Sequence, residues 1–208
     1  MKKDIFKIIS KSLISVFLGV LLFSLVVKPA EVTITPLLDT PDNRTYYDEL
    51  LESVKKAETS LNVVMATANY YPDYPGGLQS QLYDALVSAK SRGVRVRIVL
   101  DKSNWSEGVN KTNKNTARHL RNRGLEVKFD DPEVTTHAKM IIVDKEIVFL
   151  GSSNWNFPTY TETYQSNIKL VSRKIARFYS QFFNALWLGQ TPKELSLPEG
   201  ITKRSIIP

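Results

Sequence analysis

His137, Lys139, Asp144, Gly151, Ser152 and Asn154 are the residues of this 208-residue chain whose types and spacing could do chemistry. An imidazole can attack or carry a proton, an ammonium fixes positive charge, and hydroxyl and amide groups donate hydrogen bonds. Converging on one spot, they suit a phosphate group. Their setting predicts a hairpin. His137 to Val143 is a run of β-formers, Asp144-Lys145-Glu146 a polar turn, and Ile147 to Leu150 a short apolar return strand. Side chains alternate along a strand, so His137, Lys139, Ile141 and Val143 share one face while Ala138, Met140 and Ile142 take the other. His137 and Lys139 then lie roughly 6.5 Å apart at the strand's start. Gly151, at the end of the return strand, allows close approach of the backbone to a ligand.

Taken singly these residues say little; Lys139 alone reads as a solvated strand lysine. The full pattern is His-x-Lys, four residues, Asp, six residues and Gly-Ser-x-Asn, laid over a strand-turn-strand, and it resembles the signature of the phospholipase D superfamily. The resemblance implies a phosphodiesterase that works in two displacements through a phosphohistidine. His137 would attack phosphorus as a neutral imidazole. A second, protonated imidazole would donate to the leaving oxygen and later activate water. With one motif in the chain, that second group would be His137 of another subunit, in a homodimer with a shared active site. Lys139, Ser152 and Asn154 would hold the phosphate oxygens. Asp144 completes the signature, in the family mainly as an anchor of the turn. Single-motif relatives also place a glutamate beyond the signature to orient the nucleophile, where this chain offers Gln165 or Glu162. The scheme requires no metal and no cofactor. The expected substrate is nucleic acid, DNA or RNA, by similarity to the compact single-motif endonucleases. A phospholipid headgroup is the close second, and an inactive phosphate-binding module is a different class that the complete signature argues against.

Composition narrows the alternatives. Without cysteine there is no disulfide framework, thiolate chemistry or zinc ribbon, and with two histidines, His119 and His137, a multi-histidine metal site is disfavoured. The net charge of +7 invites a nucleic-acid partner, but residues 1–28 hold five lysines against one aspartate, which leaves +3 on the rest. His119-Leu-Arg121, four residues, Glu126 repeats the spacing with substitutes; it falls on an expected helix and lacks a Gly-Ser-x-Asn, and is read as coincidence.

The elements that must position these groups follow in order. Lys2, Lys3, Lys7 and Lys11 precede the uncharged run Leu13–Val27. Residues 1–28 are therefore expected to form an N-terminal hydrophobic helix, a membrane anchor or signal segment. The leading lysines favour a cytoplasmic N-terminus and an extracytoplasmic catalytic domain, secreted if the segment is cleaved. Residues 29–45 read as a linker carrying Pro29, Pro36 and Pro41, with a strand candidate at Val32–Thr35, and residues 46–190 as the catalytic domain before a tail at 191–208. Within the domain, helices are expected over 46–58, 78–92, 116–123 and 173–188, the last with an apolar stripe of Ile175, Phe178, Phe182 and Ala185. Strands are expected over 61–66, 94–100, 125–129 and 164–171 besides the hairpin. The alternation gives an α/β fold, a mixed β-sheet sandwiched between helix layers, resembling one half of a phospholipase D fold. Tyr70, Tyr71, Tyr74, Trp105 and Trp155 are candidates for shaping a substrate, by stacking bases or meeting lipid, with core packing as the commoner fate. Arg118, Arg121 and Arg123 share the third helix, where they either track a phosphate backbone or stand in solvent.

Overall fold

Short runs of β-branched and aliphatic residues, bounded by Gly, Asp and polar turns, supply the strands of one eight-stranded mixed sheet. The computed structural model describes residues 32–104, 106–192 and 195. In chain order the elements are β1 (Thr33–Thr40), β2 (Asn43–Arg44), α1 (Thr45–Lys56), β3 (Ser60–Met65), α2 (Leu78–Ser91), β4 (Arg95–Leu100), α3 (Glu107–Asn122), β5 (Glu126–Phe129), β6 (Lys139–Val143), β7 (Ile147–Gly151), α4 (Phe157–Thr161), β8 (Gln165–Val171) and α5 (Arg173–Trp187). The strand order is β2-β1-β8-β7-β6-β3-β4-β5, with β3, β4 and β5 parallel and the other pairings antiparallel. The expected segment 1–28, Trp105 and most of the tail 191–208 lie outside the described residues. Among the described residues no helix is long and apolar enough to cross a membrane.

Alternation along the strands sorts the core into two layers. Leu61, Val63 and Met65 of β3, Val96, Ile98 and Leu100 of β4, and Ile141 and Val143 of β6 pack on one face, against side chains of α1, α2, α3 and α4. Val64, Val99, Met140 and Ile142 pack on the other, against α5. The division within the hairpin is the one that strand alternation predicts. On the α5 side, the Arg97 guanidinium donates to Asn62 Oδ1 at 3.1 Å and lies over the rings of Phe183 and Trp187.

Three expectations need correction, and one short helix, α4, joins the expected elements. Residues 33–44 are not a linker: the strand candidate at Val32–Thr35 extends into the eight-residue β1, which pairs with β8 from Thr33 to Asp39, Pro36 included. Helix α3 starts at Glu107 instead of 116, capped by the Ser106 hydroxyl, which accepts the Val109 N–H. Its core-facing residues include Asn113 and Thr116, so its apolar period is hidden. Asn113 accepts the Ala68 N–H and donates to the carbonyls of Ala66 and Asp101, which ties together the ends of β3 and β4. Of the expected α5 stripe, Ile175 and Phe182 pack against the core, but its fully buried line runs one residue on, through Ala176 and Phe183, and leaves Phe178 half-buried. Short α4, begun by the Asn156 side chain accepting the Thr159 N–H, has too few residues for a periodic signal.

The hairpin turn carries the fold's clearest polar anchor. Asp144 and Lys145 both take positive φ, at 51° and 56°, in a turn closed by the Glu146 N–H on the Val143 carbonyl. From this position the Asp144 carboxylate accepts the N–H groups of Glu58, Thr59 and Ser60 and the Thr59 hydroxyl, at 2.7 to 3.0 Å. Burial pushes the carboxyl up, but the N–H groups of Ser60, Glu58 and Thr59 and the Thr59 hydroxyl outweigh it and hold it below the usual aspartate value. A carboxyl with a lowered folded pKa contributes stability above its unfolded pKa and loses it as pH falls. Asp144→Ala is therefore expected to destabilise the fold by about 2–3 kcal/mol at neutral pH. Urea unfolding should show the gap to wild type closing in acid; a gap independent of pH would contradict the anchoring role.

Candidate active site

The signature residues gather at one end of the sheet. The carboxyl ends of β3, β4 and β7 and the amino ends of β6 and β8 meet there, because β6 and β8 run antiparallel to their neighbours. This is the end of an α/β sheet where loops leave room for ligands. Met65 pairs with Lys139, and the β6–β7 ladder ends at Met140 and Leu150, which sets Lys139 level with Gly151. His137 stands just ahead of β6, exposed, while Lys139 is 6% exposed.

Lys139 Nζ is 2.9 Å from His137 Nε2 and donates to the His137 carbonyl at 2.8 Å. With Lys139 charged, the ring contact makes Nε2 the acceptor and leaves the imidazole proton on Nδ1. That is the tautomer of a nucleophile. In this contact the lysine occupies the ring's lone pair. Burial lowers the Lys139 pKa, and the nearby Asp101 carboxylate works against that shift.

Asp101 is the residue that sequence reasoning missed. It is buried at the end of β4, accepts the Thr136 N–H at 2.6 Å and also accepts the Ser103 hydroxyl. It thus fixes the backbone one residue before His137 while supplying negative charge toward Lys139. The available signal was an aspartate closing the strand pattern Val94–Leu100 at a parallel strand's carboxyl end. Below it, Asp130 accepts the Lys102 N–H, and burial raises its pKa.

The other half of the signature is braced from β8. A Cβ on Gly151 would collide with the Asn167 side chain and meet its Cα at 2.7 Å, so glycine is required by close packing and not by its φ. Asn167 accepts the Ser153 N–H and donates to the Ser153 hydroxyl, holding the strand that leads to Asn154. Asn154 Oδ1 is buried without a partner.

Other expected residues fall elsewhere. Asp144 is at the far end of β6, with its carboxylate spent on the turn, so it stands apart from His137 and is no proton carrier. The Ser152 hydroxyl donates to Gln165 Oε1 at 2.6 Å and accepts the Ser166 N–H; it serves as a brace. Gln165 spends its other end on the Thr163 hydroxyl, and Glu162 is exposed at the end of α4. Among the described residues neither is hydrogen-bonded to the His137 ring. Trp155 is fully buried core rather than a substrate contact, and Tyr70 stacks on His119 with centroids 3.6 Å apart. Burial lowers the His119 pKa, Arg123 adds to this and Asp84 opposes it, which ill suits His119 as a general acid. Arg121 donates to the Val127 carbonyl and Arg123 pairs with Asp84 at 2.6 Å; Arg118 and Arg121 are exposed and Arg123 is half-buried. Tyr71 and Tyr74 line a cavity beside the signature's tail.

Comparison with known proteins meets this geometry. The family model described as "Cardiolipin synthase, PLD-like domain" matches residues 50–187. A phospholipase D of Rickettsia prowazekii (strain Madrid E) is 30% identical over 132 residues, 64% of this chain and 58% of its own length. A mitochondrial cardiolipin hydrolase of Xenopus tropicalis is 28% identical over 153 residues, 73% of this chain and 66% of its own. The chain thus spans 58% and 66% of the lengths of these relatives. Among solved structures, Nuc of Salmonella typhimurium, a phospholipase D family member, superposes with a TM-score of 0.62 at 24% identity, over 76% of this chain and 96% of its own. NucT of Helicobacter pylori gives 0.60 at 18% identity, over 76% and 98%. At these identities the structural likeness speaks for the fold.

Proposed function

The chain belongs to the phospholipase D superfamily, and we propose that it is a phosphodiesterase of that group that cleaves its diester through a covalent intermediate on His137. The observation that carries this reading is the 2.9 Å contact between His137 Nε2 and the buried Lys139 Nζ. A phosphate oxygen draws the lysine off the ring, and the same step frees the nucleophile and places positive charge on the equatorial oxygens. Nε2 then bonds to phosphorus as the bond to the leaving oxygen breaks, that oxygen taking a proton from a second, protonated imidazole. Asn154 supplies a further hydrogen bond. Water, losing its proton to the same imidazole, displaces His137 in the return step.

That second imidazole is His137 of a partner copy across a two-fold axis, because His119 is stacked on Tyr70 and biased toward its neutral form. If wild-type and His137→Asn chains exchange subunits at equal amounts, activity per total protein is expected to fall to about one quarter of wild type, against about one half for independent sites. Co-purification of differently tagged chains confirms exchange. A linear dependence on wild-type fraction would contradict the shared site.

The substrate is a phosphodiester of one of two classes. Nucleic acid is favoured by the likeness of the single-motif pattern to the compact endonucleases, while the charge of +3 beyond residue 28 does not decide the substrate. Side-chain placement moves the weight to a phospholipid headgroup: Arg121 and Arg123 are engaged within the fold, Trp155 is in the core, and the named relatives are a phospholipase D and a cardiolipin hydrolase. The run Leu13–Val27 supports a membrane-anchored, extracytoplasmic domain, or a secreted one after cleavage. Assay of the purified chain on single-stranded DNA, RNA and phospholipid vesicles tests the choice. Cleavage of nucleic acid alone would overturn the lipid reading.

A further inference from the structure

A cavity of about 360 Å³ opens where the loop after β3 meets the start of α4. Tyr71, Tyr74, Gly77, Gln79, Phe157 and Pro158 line it. Its position is tied to the signature by hydrogen bonds. The Asn69 N–H donates to the Trp155 carbonyl at 2.7 Å and the Trp155 N–H to the Thr67 carbonyl at 2.9 Å. The Phe157 N–H donates to the Tyr71 hydroxyl at 3.2 Å. Phe157 follows Asn154 by three residues, so the cavity borders the end of the sequence that holds the phosphate.

Two features of the lining point to a ligand. Tyr74 and Phe157 leave 69% and 48% of their surfaces in water at the rim. Below them Gln79 is 3% exposed, and its Nε2 is buried without a hydrogen-bond partner. A buried amide donor left unpaired costs free energy, which a ligand acceptor would recover. The site therefore asks for an apolar body carrying one hydrogen-bond acceptor. No Lys or Arg is among the lining residues, whereas a single-stranded nucleic acid needs cations along its backbone beside the aromatic rings that stack its bases.

We propose that this cavity is the acyl-chain subsite of a phospholipid substrate, with Gln79 Nε2 donating to an acyl ester carbonyl and Tyr74 and Phe157 flanking the chain. The proposal rests on the phosphodiesterase reading above and assigns its substrate class. A headgroup phosphate at His137 leaves the glycerol and its esters to run past Asn154 into the cavity.

The test separates binding from turnover. Binding of monomeric dihexanoyl phosphatidylglycerol, and of its di-O-alkyl ether analogue, is measured on the full His137→Asn chain. The ester is expected to bind at least about fivefold more tightly than the ether, and Gln79→Leu should abolish the difference. Tyr74→Ala with Phe157→Ala should weaken ester binding about tenfold. In the chain with His137 intact, the same two changes should lower kcat/KM on dioleoyl phosphatidylglycerol vesicles and leave hydrolysis of bis(p-nitrophenyl) phosphate unchanged. Equal affinity for ester and ether, or variants that lower binding or cleavage of an oligodeoxynucleotide and spare the lipid, would overturn the subsite. Failure of the intact chain to hydrolyse bis(p-nitrophenyl) phosphate would instead strike the phosphodiesterase reading, while the binding data still decide the cavity.

Discussion

His137→Asn is expected to lower turnover by about 10⁴-fold or more on every diester the enzyme accepts, a loss of the size seen when a covalent nucleophile is removed. The imidazole is exposed ahead of β6, so an amide takes its place without opening a core cavity. Asparagine can still accept a hydrogen bond from Lys139 Nζ. It has no lone pair able to displace an alkoxide from phosphorus. Thermal unfolding should therefore be nearly unchanged while activity vanishes. A well-folded variant with more than a trace of activity would rule out His137 as the attacking group.

Lys139→Ala comes next, with an expected loss of about 10²–10³-fold in kcat through removal of a charge aimed at the developing oxyanion. The fold should not suffer in proportion, since burial already works against the charged form of this lysine. The pH dependence follows from the same shift. The Lys139 pKa is lowered by burial despite Asp101, so the charged form is lost at a lower pH than for a free lysine. Activity is expected to fall as pH rises through that lowered value, and the alkaline limb should disappear in the Lys139→Ala profile. An unchanged alkaline limb in the variant would assign it to another group.

The hairpin was legible in sequence because both its patterns are local. Alternation sorted Ile141 and Val143 from Met140 and Ile142, and the motif spacing brought His137 and Lys139 together. What was hidden depended on partners far along the chain. Asp101 looked like the start of a polar loop until Thr136 folded onto it from 35 residues away. Asn167 was one polar residue in a strand, and only pairing of β7 with β8 set it against Gly151. Gln165 and Glu162 were sought as orienting groups by distance along the chain, whereas hydrogen bonding takes Gln165 to Ser152. The first half of helix α3 was hidden because it turns Asn113 and Thr116 inward, and the strand candidate at Val32–Thr35 stopped short of the full β1 because Pro36 made the rest look like a linker. Aromatic residues were ambiguous for the same reason: Trp155 in the core and Tyr74 at a cavity rim are alike in sequence.

The central claim is that the diester is cleaved through a bond between phosphorus and His137, and trapping that bond tests it most directly. Enzyme turning over a labelled diester is quenched into alkaline denaturant, where a phosphoramidate persists, digested, and mapped by peptide mass spectrometry. The account predicts a phosphoryl adduct on the peptide containing His137, formed within the first turnover and absent from His137→Asn protein. Active enzyme that yields no adduct at His137 under these conditions, or an adduct on another residue, would contradict it.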